Sequence, residues 1–451
     1  MLSFLFFCVL VLLPMGRLLN YSFLESARKT APLSPLDLIL PLLLCGYILR
    51  RLASKRLPFL RAPHALFILG FIGWALLSLF VNSQYYGLNL DQTVFSGLYL
   101  ARWVAYASLY FAAIECASNN SRTQTILQWL TRGCLAFCLF GILQAAFLPS
   151  FAFIVYPDAR PYIDYDPQGH RLVSTLLDPN IAAGYILIFA LLSLSFYLHG
   201  FKRWRSVFLI CVVALILTLS RGGATAFLAG LLVIITSRKL RYSRLIITVL
   251  VVVIVALSFY PILRTQIEDI NRFSLSDPSA MSRVDDWKLA LQMIEDNPVF
   301  GIGYNTFGFV SSRYRIMREG GSAFGLAGDL FLIVVLTGLV GLLLYGMIVR
   351  GVFANLRRLR AQSHNAWDRA FAVGVRAATA GVIVGACFTS LLLYPQTMAV
   401  LWILWGLATQ LLEVAKNEQR VSPPVAVARF ASSLQGRRAV LAHAHVQRRP
   451  H

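Results

Sequence analysis

The chain has 451 residues, of which 58% are hydrophobic and 14% are charged. With a mean hydropathy of +0.67, this composition excludes a soluble globular protein and predicts a polytopic membrane protein. The formal net charge of +21 would indicate a nucleic-acid partner in a soluble chain. Here the basic residues flank apolar runs, an arrangement that sets membrane topology, so we expect no nucleic-acid partner.

The apolar runs predict an all-α fold with about twelve transmembrane helices, since a helix needs about 20 residues to cross the bilayer. The run at the N-terminus lacks a basic n-region and a small-residue cleavage site, so it is interpreted as a span rather than a signal peptide. We expect the shorter runs to tilt or to end inside the bundle. The predicted spans lie near 2–16, 35–49, 63–82, 96–117, 125–148, 179–199, 206–220, 223–237, 245–262, 326–350, 370–394 and 397–415.

Lys and Arg cluster in alternate connections between these runs. The positive-inside rule places those connections and both termini in the cytoplasm, in agreement with an even number of spans. Two long connections, 149–178 and 263–325, are then extracytoplasmic, as is the turn that carries Arg221. We therefore predict a transmembrane domain over residues 1–416 and a disordered, basic cytoplasmic tail over 417–451.

The seven cysteines all fall in apolar stretches. Cys134 and Cys138 share a helix face by their spacing, but nothing nearby in the sequence completes a metal site. They are interpreted as small core residues. In the tail, His443 and His445 are attributed to a solvated basic segment. No metal and no cofactor are expected.

The shorter extracytoplasmic connection ends in STLLDPNIAAGYIL. Pro179 suits the first position of a helix, with Asp178 as its N-cap. The small residues after Asn180 permit close helix packing. Arg171 lies just upstream, and His170 is interpreted as an ordinary loop histidine.

The tetrapeptide Ser-Arg-Gly-Gly at 220–223 joins two apolar runs. An arginine between spans is costly unless a polar or anionic group holds it. Two glycines after it allow a sharp turn and a close approach to a ligand. The alternative is an ordinary turn between helices with a snorkelling Arg221.

The longer connection contains SRVDDWKLALQMIEDNPVFGIGYNTF. Ser282 and Asp285 have the form of a capping box, which predicts a helix start, and the Asp-Asn-Pro at 296–298 predicts its end. The helix is amphipathic, so we expect it to lie at the membrane interface. It would carry Arg283 in its first turn and Trp287 one turn later, although Arg283 taken alone is typical of a solvated residue.

Three segments thus bring Arg171, Arg221 and Arg283 to one predicted membrane face. Arginine presents a planar fork of donors that matches phosphate oxygens. Several arginines at the outer membrane boundary predict a polyanionic ligand that itself resides in the membrane, such as a lipid-linked pyrophosphate.

These motifs resemble the O-antigen ligase and polymerase superfamily of bacterial envelope polysaccharide enzymes. The resemblance rests on STLLDPNIAAGYIL, LSRGG and RVDDWKLALQMIEDNPVFGIGYNTF in this order, before a late span with TGLVG, and covers about 165–345 closely. It implies a GT-C-like helical fold and an inverting, metal-independent glycosyltransferase of the bacterial inner membrane. The donor would be a glycan on undecaprenyl pyrophosphate, and the acceptor a glycan or lipid hydroxyl on the outer side. The implied product is a surface polysaccharide made by a polymerase or ligase, with membrane lipids and a chain-length regulator as further partners.

The resemblance also implies roles for particular residues. Arg221 and Arg283 match family arginines that hold the pyrophosphate and stabilise charge on the leaving group. Family ligases usually carry a His-Asn about ten residues before the TG-x-x-G element, where this chain reads GLAGDLF. Asp329 is therefore the candidate base, with a helix-capping carboxylate as the alternative. The missing histidine favours a polymerase or a divergent member over a lipid A-core ligase.

The remaining expected substrate contacts are Arg171, Asn180, Trp287 and Arg102. Arg102 lies inside a predicted span, where a structural, inward-facing charge is the alternative. The competing function is a transporter or flippase of a lipid-linked or anionic substrate. Transporters commonly contain internal repeats with broken helices, and the two halves of this chain show no convincing repeat. A structural scaffold would leave the three arginines without a purpose.

Overall fold

The computed structural model describes residues 2–18, 21–26, 29–53, 64–155, 171–237, 278–314, 326 and 328–421. Within them the chain is helical apart from one antiparallel hairpin, formed by β1 (Tyr21–Ser26) and β2 (Lys29–Leu33). The predicted helical architecture is therefore confirmed for the bundle. The hairpin was not expected, because it lies in the connection between the first two apolar runs, where the helical pattern carries no information.

The described α-helices follow the apolar runs closely. Short 3-10 turns at Leu13–Met15, Ser174–Leu176 and Ser311–Tyr314 lie between some of them. In chain order the helices are α1 (Leu2–Leu12), α2 (Pro35–Ala53), α3 (Ala65–Tyr85), α4 (Leu90–Cys116), α5 (Asn120–Phe147), α6 (Phe151–Val155), α7 (Pro179–Leu198), α8 (Trp204–Leu217), α9 (Arg221–Thr236), α10 (Pro278–Asp296), α11 (Phe307–Val310), α12 (Asp329–Gln362), α13 (Ala366–Gly385) and α14 (Pro395–Val421).

Five of the described helices, α3, α5, α7, α12 and α14, are long and apolar enough to cross a membrane. Helices α1, α8 and α9 are apolar but shorter. The chain is a multi-pass membrane protein on this evidence, and the count of twelve spans stays a prediction. The predicted span at 245–262 lies outside the described residues.

Helix α7 forms the centre of the bundle and is buried along almost its whole length. It packs against α8, α9 and α13. A Cβ added to Gly223 at the start of α9 would lie 2.5 Å from the Cβ of Ala183. This contact confirms the close packing that the small residues after Asn180 predict, and it brings the first turns of α7 and α9 together.

Helix α12 is interrupted at Gly338, within the TG-x-x-G element, where φ is 68° and ψ is −175°. The turn that follows α10 packs into this break. The Leu339 N–H donates to the Pro298 carbonyl at 2.8 Å, and the Ile302 N–H donates to the Val335 carbonyl at 2.8 Å. The break therefore docks the end of α10 against the bundle.

Helix α3 satisfies the carbonyl groups that the break releases. The Trp74 indole donates to the Thr337 carbonyl at 2.7 Å, and the Ser78 hydroxyl lies 3.0 Å from the Leu336 carbonyl. Such contacts are needed because lipid offers no hydrogen bonds to an exposed backbone. Helices α3 and α12 run in opposite directions here, so the end of α3 lies at the same end of the bundle as the start of α12.

Two predicted boundaries differ from the structure. Helix α10 begins at Pro278 rather than at the capping box of Ser282, so the predicted start was wrong by about one turn. Proline suits a first helical position because its fixed φ is helical and its missing N–H is not needed there. Helix α14 runs to Val421, past the predicted domain end at residue 416, and the tail from 422 lies outside the described residues.

Candidate functional site

The turn before Arg221 is held in a strained conformation. Leu219 has a φ of 50°, a left-handed conformation that costs a residue with a Cβ about 1–2 kcal/mol. Ser220 then caps α9: its Oγ accepts the Gly223 N–H at 3.1 Å and donates to Oδ1 of Asn180 at 2.8 Å. Strain of this kind persists where surrounding groups fix it and is frequent at functional sites.

Arg171 is one of the groups that fix this turn. Its Nε donates to the Thr218 carbonyl at 2.9 Å, and its Nη2 lies 3.5 Å from the Leu219 carbonyl. Gln144 of α5 supports the same segment, since its Oε1 accepts the Val173 N–H at 3.0 Å. The structure thus brings the segments of Arg171 and Arg221 together, with the Arg171 guanidinium bound to the turn.

Helix α7 begins beside this turn, at the residue that the sequence predicts. Asp178 is its N-cap, accepting the N–H groups of Asn180 at 2.8 Å and Ile181 at 3.1 Å, and Pro179 occupies the first position. The Asn180–Ser220 hydrogen bond joins the N-termini of α7 and α9. The Asp178 carboxylate occupies the start of α7, whereas the start of α9 is capped by the neutral Ser220 and keeps the partial positive charge of a helix N-terminus. The exposed Arg221 is the first residue of α9.

Helix α10 packs near the Arg221 turn through aromatic side chains. The Trp287 ring lies 5.7 Å from that of Phe331 and 6.2 Å from that of Phe388. The Cβ of Phe388 would lie 3.4 Å from a Cβ on Gly222. Arg283 belongs to α10 one turn before Trp287, but its side chain lies outside the described part of the structure.

Asp329 is the first residue of α12 and is fully buried. Its Oδ2 accepts the Leu393 N–H at 2.8 Å, which ties the start of α12 to the segment before α14. A general base must come within hydrogen-bonding distance of the hydroxyl it deprotonates. The carboxylate does not cap α12, whose N-cap is Gly328, so the contact that the structure shows for Asp329 is an anchor between the two segments.

Arg102 forms an ion pair inside the bundle. Its guanidinium lies 2.7 Å from Oδ2 of Asp37 and 5.2 Å from the centre of the Tyr99 ring. The pair joins α2 to α4. This geometry matches a structural charge, the alternative for an arginine within a span.

Arg17, which the sequence analysis did not single out, contacts the segment that precedes α7. Its Nε donates to the Tyr394 hydroxyl at 2.8 Å, and its N–H donates to the Thr175 carbonyl at 2.8 Å. Gly16 makes this contact possible, since a Cβ there would lie 2.5 Å from the Thr175 oxygen. One signal was available: a basic residue directly follows the first apolar run, on the side that the positive-inside rule leaves poor in basic residues.

Three thiols form the one cluster in the described residues whose donor atoms are close enough to share a metal ion. Cys211 of α8 joins Cys134 and Cys138 of α5, with all three sulfur atoms within 4.8 Å. The local sequence could not predict this cluster, because the third cysteine is distant in sequence. All three side chains are fully buried in the core.

A family model described as O-antigen ligase matches residues 206–346. The matched range contains the Arg221 turn, α10 and the interrupted helix up to the TG-x-x-G element. No curated protein matches the chain. The match confirms the resemblance drawn from the ordered motifs, and the apolar helices agree with a membrane-embedded member of such a family. Residues 206–346 are therefore similar to the O-antigen ligase family, and this similarity supports the O-antigen ligase and polymerase superfamily as the group to which the motifs point.

Proposed function

We propose that the chain is an inverting glycosyltransferase of the bacterial inner membrane, with both termini in the cytoplasm. It transfers a glycan from undecaprenyl pyrophosphate to an acceptor hydroxyl at the outer face, as a surface polysaccharide polymerase or ligase. The twelve-span, GT-C-like layout and an associated chain-length regulator belong to the same proposal. The observation that carries it is the Arg171–turn–Asn180 assembly, which presents Arg221 where two helix N-termini meet.

This assembly suits a diphosphate for electrostatic reasons. Ser220 holds the Gly223 N–H at the start of α9, and the helix dipole adds partial positive charge there. Arg221 supplies a full charge and a bidentate donor pair. A lipid-linked diphosphate brings its negative charge to the membrane boundary, and the predicted topology places Arg221 at that depth.

The reaction makes one bond and breaks another. The acceptor oxygen attacks the anomeric carbon on the side opposite the diphosphate, the bond to the diphosphate oxygen breaks, and the hydroxyl proton passes to a base. Negative charge then grows on the leaving diphosphate. Arg221 and Arg283 stabilise that charge, and one such preorganised donor is typically worth about 3 kcal/mol in the transition state.

The other residues position these two arginines. Arg171 and Asn180 hold the turn of Arg221, and Trp287 packs the helix of Arg283 against Phe388. Asp329 enters the proposal as an anchor for the start of α12 rather than as the base, because its buried carboxylate is bound to the Leu393 N–H.

A transporter of a lipid-linked or anionic substrate remains the alternative. The interrupted helix α12 is the observation that favours it, since transporters often bind ions at such breaks. Here the carbonyls of Val335, Leu336 and Thr337 accept hydrogen bonds from protein groups. Reconstituted vesicles separate the two functions, because a transporter moves substrate across the bilayer and forms no new glycosidic bond.

Replacing Arg221 tests the proposal. We expect Arg221→Ala to lower glycan transfer in proteoliposomes about 100-fold or more, the usual effect of removing one transition-state donor. Arg221→Lys should have a transfer rate between those of the native protein and Arg221→Ala, since it keeps the charge but loses the bidentate geometry. The matched control is Arg205→Ala, which removes an exposed arginine near the start of α8, at the other end of the bundle.

Mass spectrometry of the lipid-linked glycan in cells that carry Arg221→Ala gives the second measurement. A single repeat unit should accumulate for a polymerase, and a full-length polymer on its lipid for a ligase. Normal polymer length and yield in this variant would exclude the proposed function.

A further inference from the structure

A second feature of the Arg221 end of the bundle is a cleft of about 600 Å³, within the range typical of small-molecule sites. Three tyrosines, Tyr85, Tyr86 and Tyr314, line it together with polar residues of α10. We call it the tyrosine cleft. It lies at the same end as Arg221 because α3, which ends at Tyr85, runs beside the first part of α12.

One wall of the tyrosine cleft is rigid. Tyr86 is 6% exposed, and its hydroxyl donates to Oδ1 of Asn297 at 3.2 Å. The Asn297 amide donates in turn to the Tyr314 hydroxyl at 3.0 Å. Arg313 donates to the Tyr86 carbonyl at 2.5 Å and lies 5.1 Å from the ring centre. Burial and the Tyr314 hydrogen bond raise the pKa of Tyr86 above its usual value, so its hydroxyl stays a neutral donor.

The other residues that line the cleft are open to solvent. Tyr85 is 75% exposed and stands nearly perpendicular to Tyr86, with ring centres 4.9 Å apart. Gln292 and Asp296, one turn apart on α10, are exposed and line the same cleft. An open aromatic face beside amide and carboxylate groups suits a ligand with one apolar face and a rim of hydroxyl groups.

A pyranose sugar has this form, because its axial C–H groups make an apolar face and its hydroxyls lie around the edge. A phosphate or anionic head group fits less well. The cleft contains one carboxylate, Asp296, and the guanidinium of Arg313 is already bound to Tyr86.

We infer that the tyrosine cleft is a carbohydrate subsite, which holds sugar units of the glycan chain some distance from the reacting bond. The inference rests on the proposed function, because the proposed diphosphate site sets the point from which the glycan runs along α10. Trp287 packs beside the Arg221 turn, and Asp296 lies nine residues further along α10, about 14 Å at 1.5 Å per residue. A glycan that starts at the diphosphate and follows α10 therefore reaches the cleft after its first sugars.

Binding of lipid-free polysaccharide tests this subsite without requiring transfer. The probe is the polysaccharide released by mild acid from cells that carry the protein, titrated against the full chain in nanodiscs. We expect Tyr85→Ala to weaken binding about tenfold, equivalent to about 1.4 kcal/mol. Tyr85→Phe keeps the ring and should bind as the native protein does. The matched control is Phe147→Ala, which removes an equally exposed ring (76%) at the end of α5.

An interfacial aromatic residue that only anchors the protein in the membrane would give a different result. In that case Tyr85→Ala and Phe147→Ala bind equally, or the native protein does not bind the probe, and the inference is overturned. Retained thermal unfolding temperature in Tyr85→Ala shows that the exposed substitution leaves the fold intact.

Transfer kinetics show whether the bound sugar belongs to the acceptor or to the donor. They also allow the subsite and the proposed function to fail independently. A raised KM for acceptor in Tyr85→Ala assigns the cleft to the acceptor chain, and a raised KM for donor assigns it to the donor. Arg221→Ala should still bind the polysaccharide. If Arg221→Ala stays active while Tyr85→Ala loses binding, the proposed function fails and the subsite stands; the reverse result removes the subsite alone.

Discussion

The two ends of the helix bundle use polar side chains in opposite ways. At the Arg221 end, Arg171, Ser220 and Asn180 bind a strained turn and leave Arg221 exposed. At the other end, four buried polar residues bind one another. His64 Nε2 lies 3.1 Å from the Asn355 amide, which donates to the Thr409 hydroxyl at 3.3 Å. This hydroxyl lies 3.0 Å from that of Tyr110.

The buried network joins α3, α4, α12 and α14, and each of its residues is at most 4% exposed. A buried polar group that loses its partner is costly, so this network fixes which helices pack together. At the Arg221 end, the hydrogen bonds instead fix the conformation of one turn. Substitutions at the two ends should therefore separate loss of function from loss of stability.

Arg171 gives the largest expected effect of the remaining substitutions. Arg171→Ala removes the donors that hold the carbonyls of Thr218 and Leu219 in the strained turn, so Arg221 should move out of position. We expect transfer to fall about 100-fold, the usual cost of a displacement near 1 Å at a reacting centre. Arg171→Lys should recover only part of this, since one ammonium cannot reproduce two directed donors.

The control for Arg171 is Arg369→Ala, because Arg369 also donates to turn carbonyls, those of Ser363 and His364, at the opposite end. Transfer assays in proteoliposomes compare the two variants. Equal activity of both would mean that the Arg171 contact does not position Arg221.

Asn355→Ala should break the buried network without touching the site. It removes the Asn355 partner of the buried His64 Nε2 and one of the hydrogen bonds of the Thr409 hydroxyl, so we expect the free energy of unfolding to fall by about 2 kcal/mol. Thermal unfolding in detergent measures this, and transfer per folded molecule should stay unchanged. A selective loss of activity at normal stability would contradict the division between the two ends.

The same two ends show what the sequence could predict. Hydropathy and cap residues located α7 to within one residue and α8 and α9 to within three residues, because Asp178, Pro179 and the SRGG turn are local signals. The left-handed Leu219 was not predictable, since its conformation depends on Arg171, which is 48 residues away in sequence. Local pattern also placed the start of α10 at Ser282 although Pro278 begins it.

Long-range contacts account for the other surprises. TG-x-x-G was visible as a motif, but the break at Gly338 needs the turn at Pro298 to fill it. Cys211 meets Cys134 only because α8 packs on α5. The apolar pattern thus predicts which segments are helices, and the site depends on which helix ends meet.

Ser220→Ala gives the smallest effect and the sharpest comparison. It removes the cap of α9 and the link to Asn180, so we expect about 1 kcal/mol less stability and a several-fold fall in transfer. Asn119→Ala is the matched control, because Asn119 caps α5 by accepting the Arg122 N–H at 2.8 Å, away from Arg221. It should cost similar stability and leave transfer unchanged. Unfolding and transfer measured on both variants decide the point: if the two lose activity alike, the effect comes from helix stability and not from the position of Arg221.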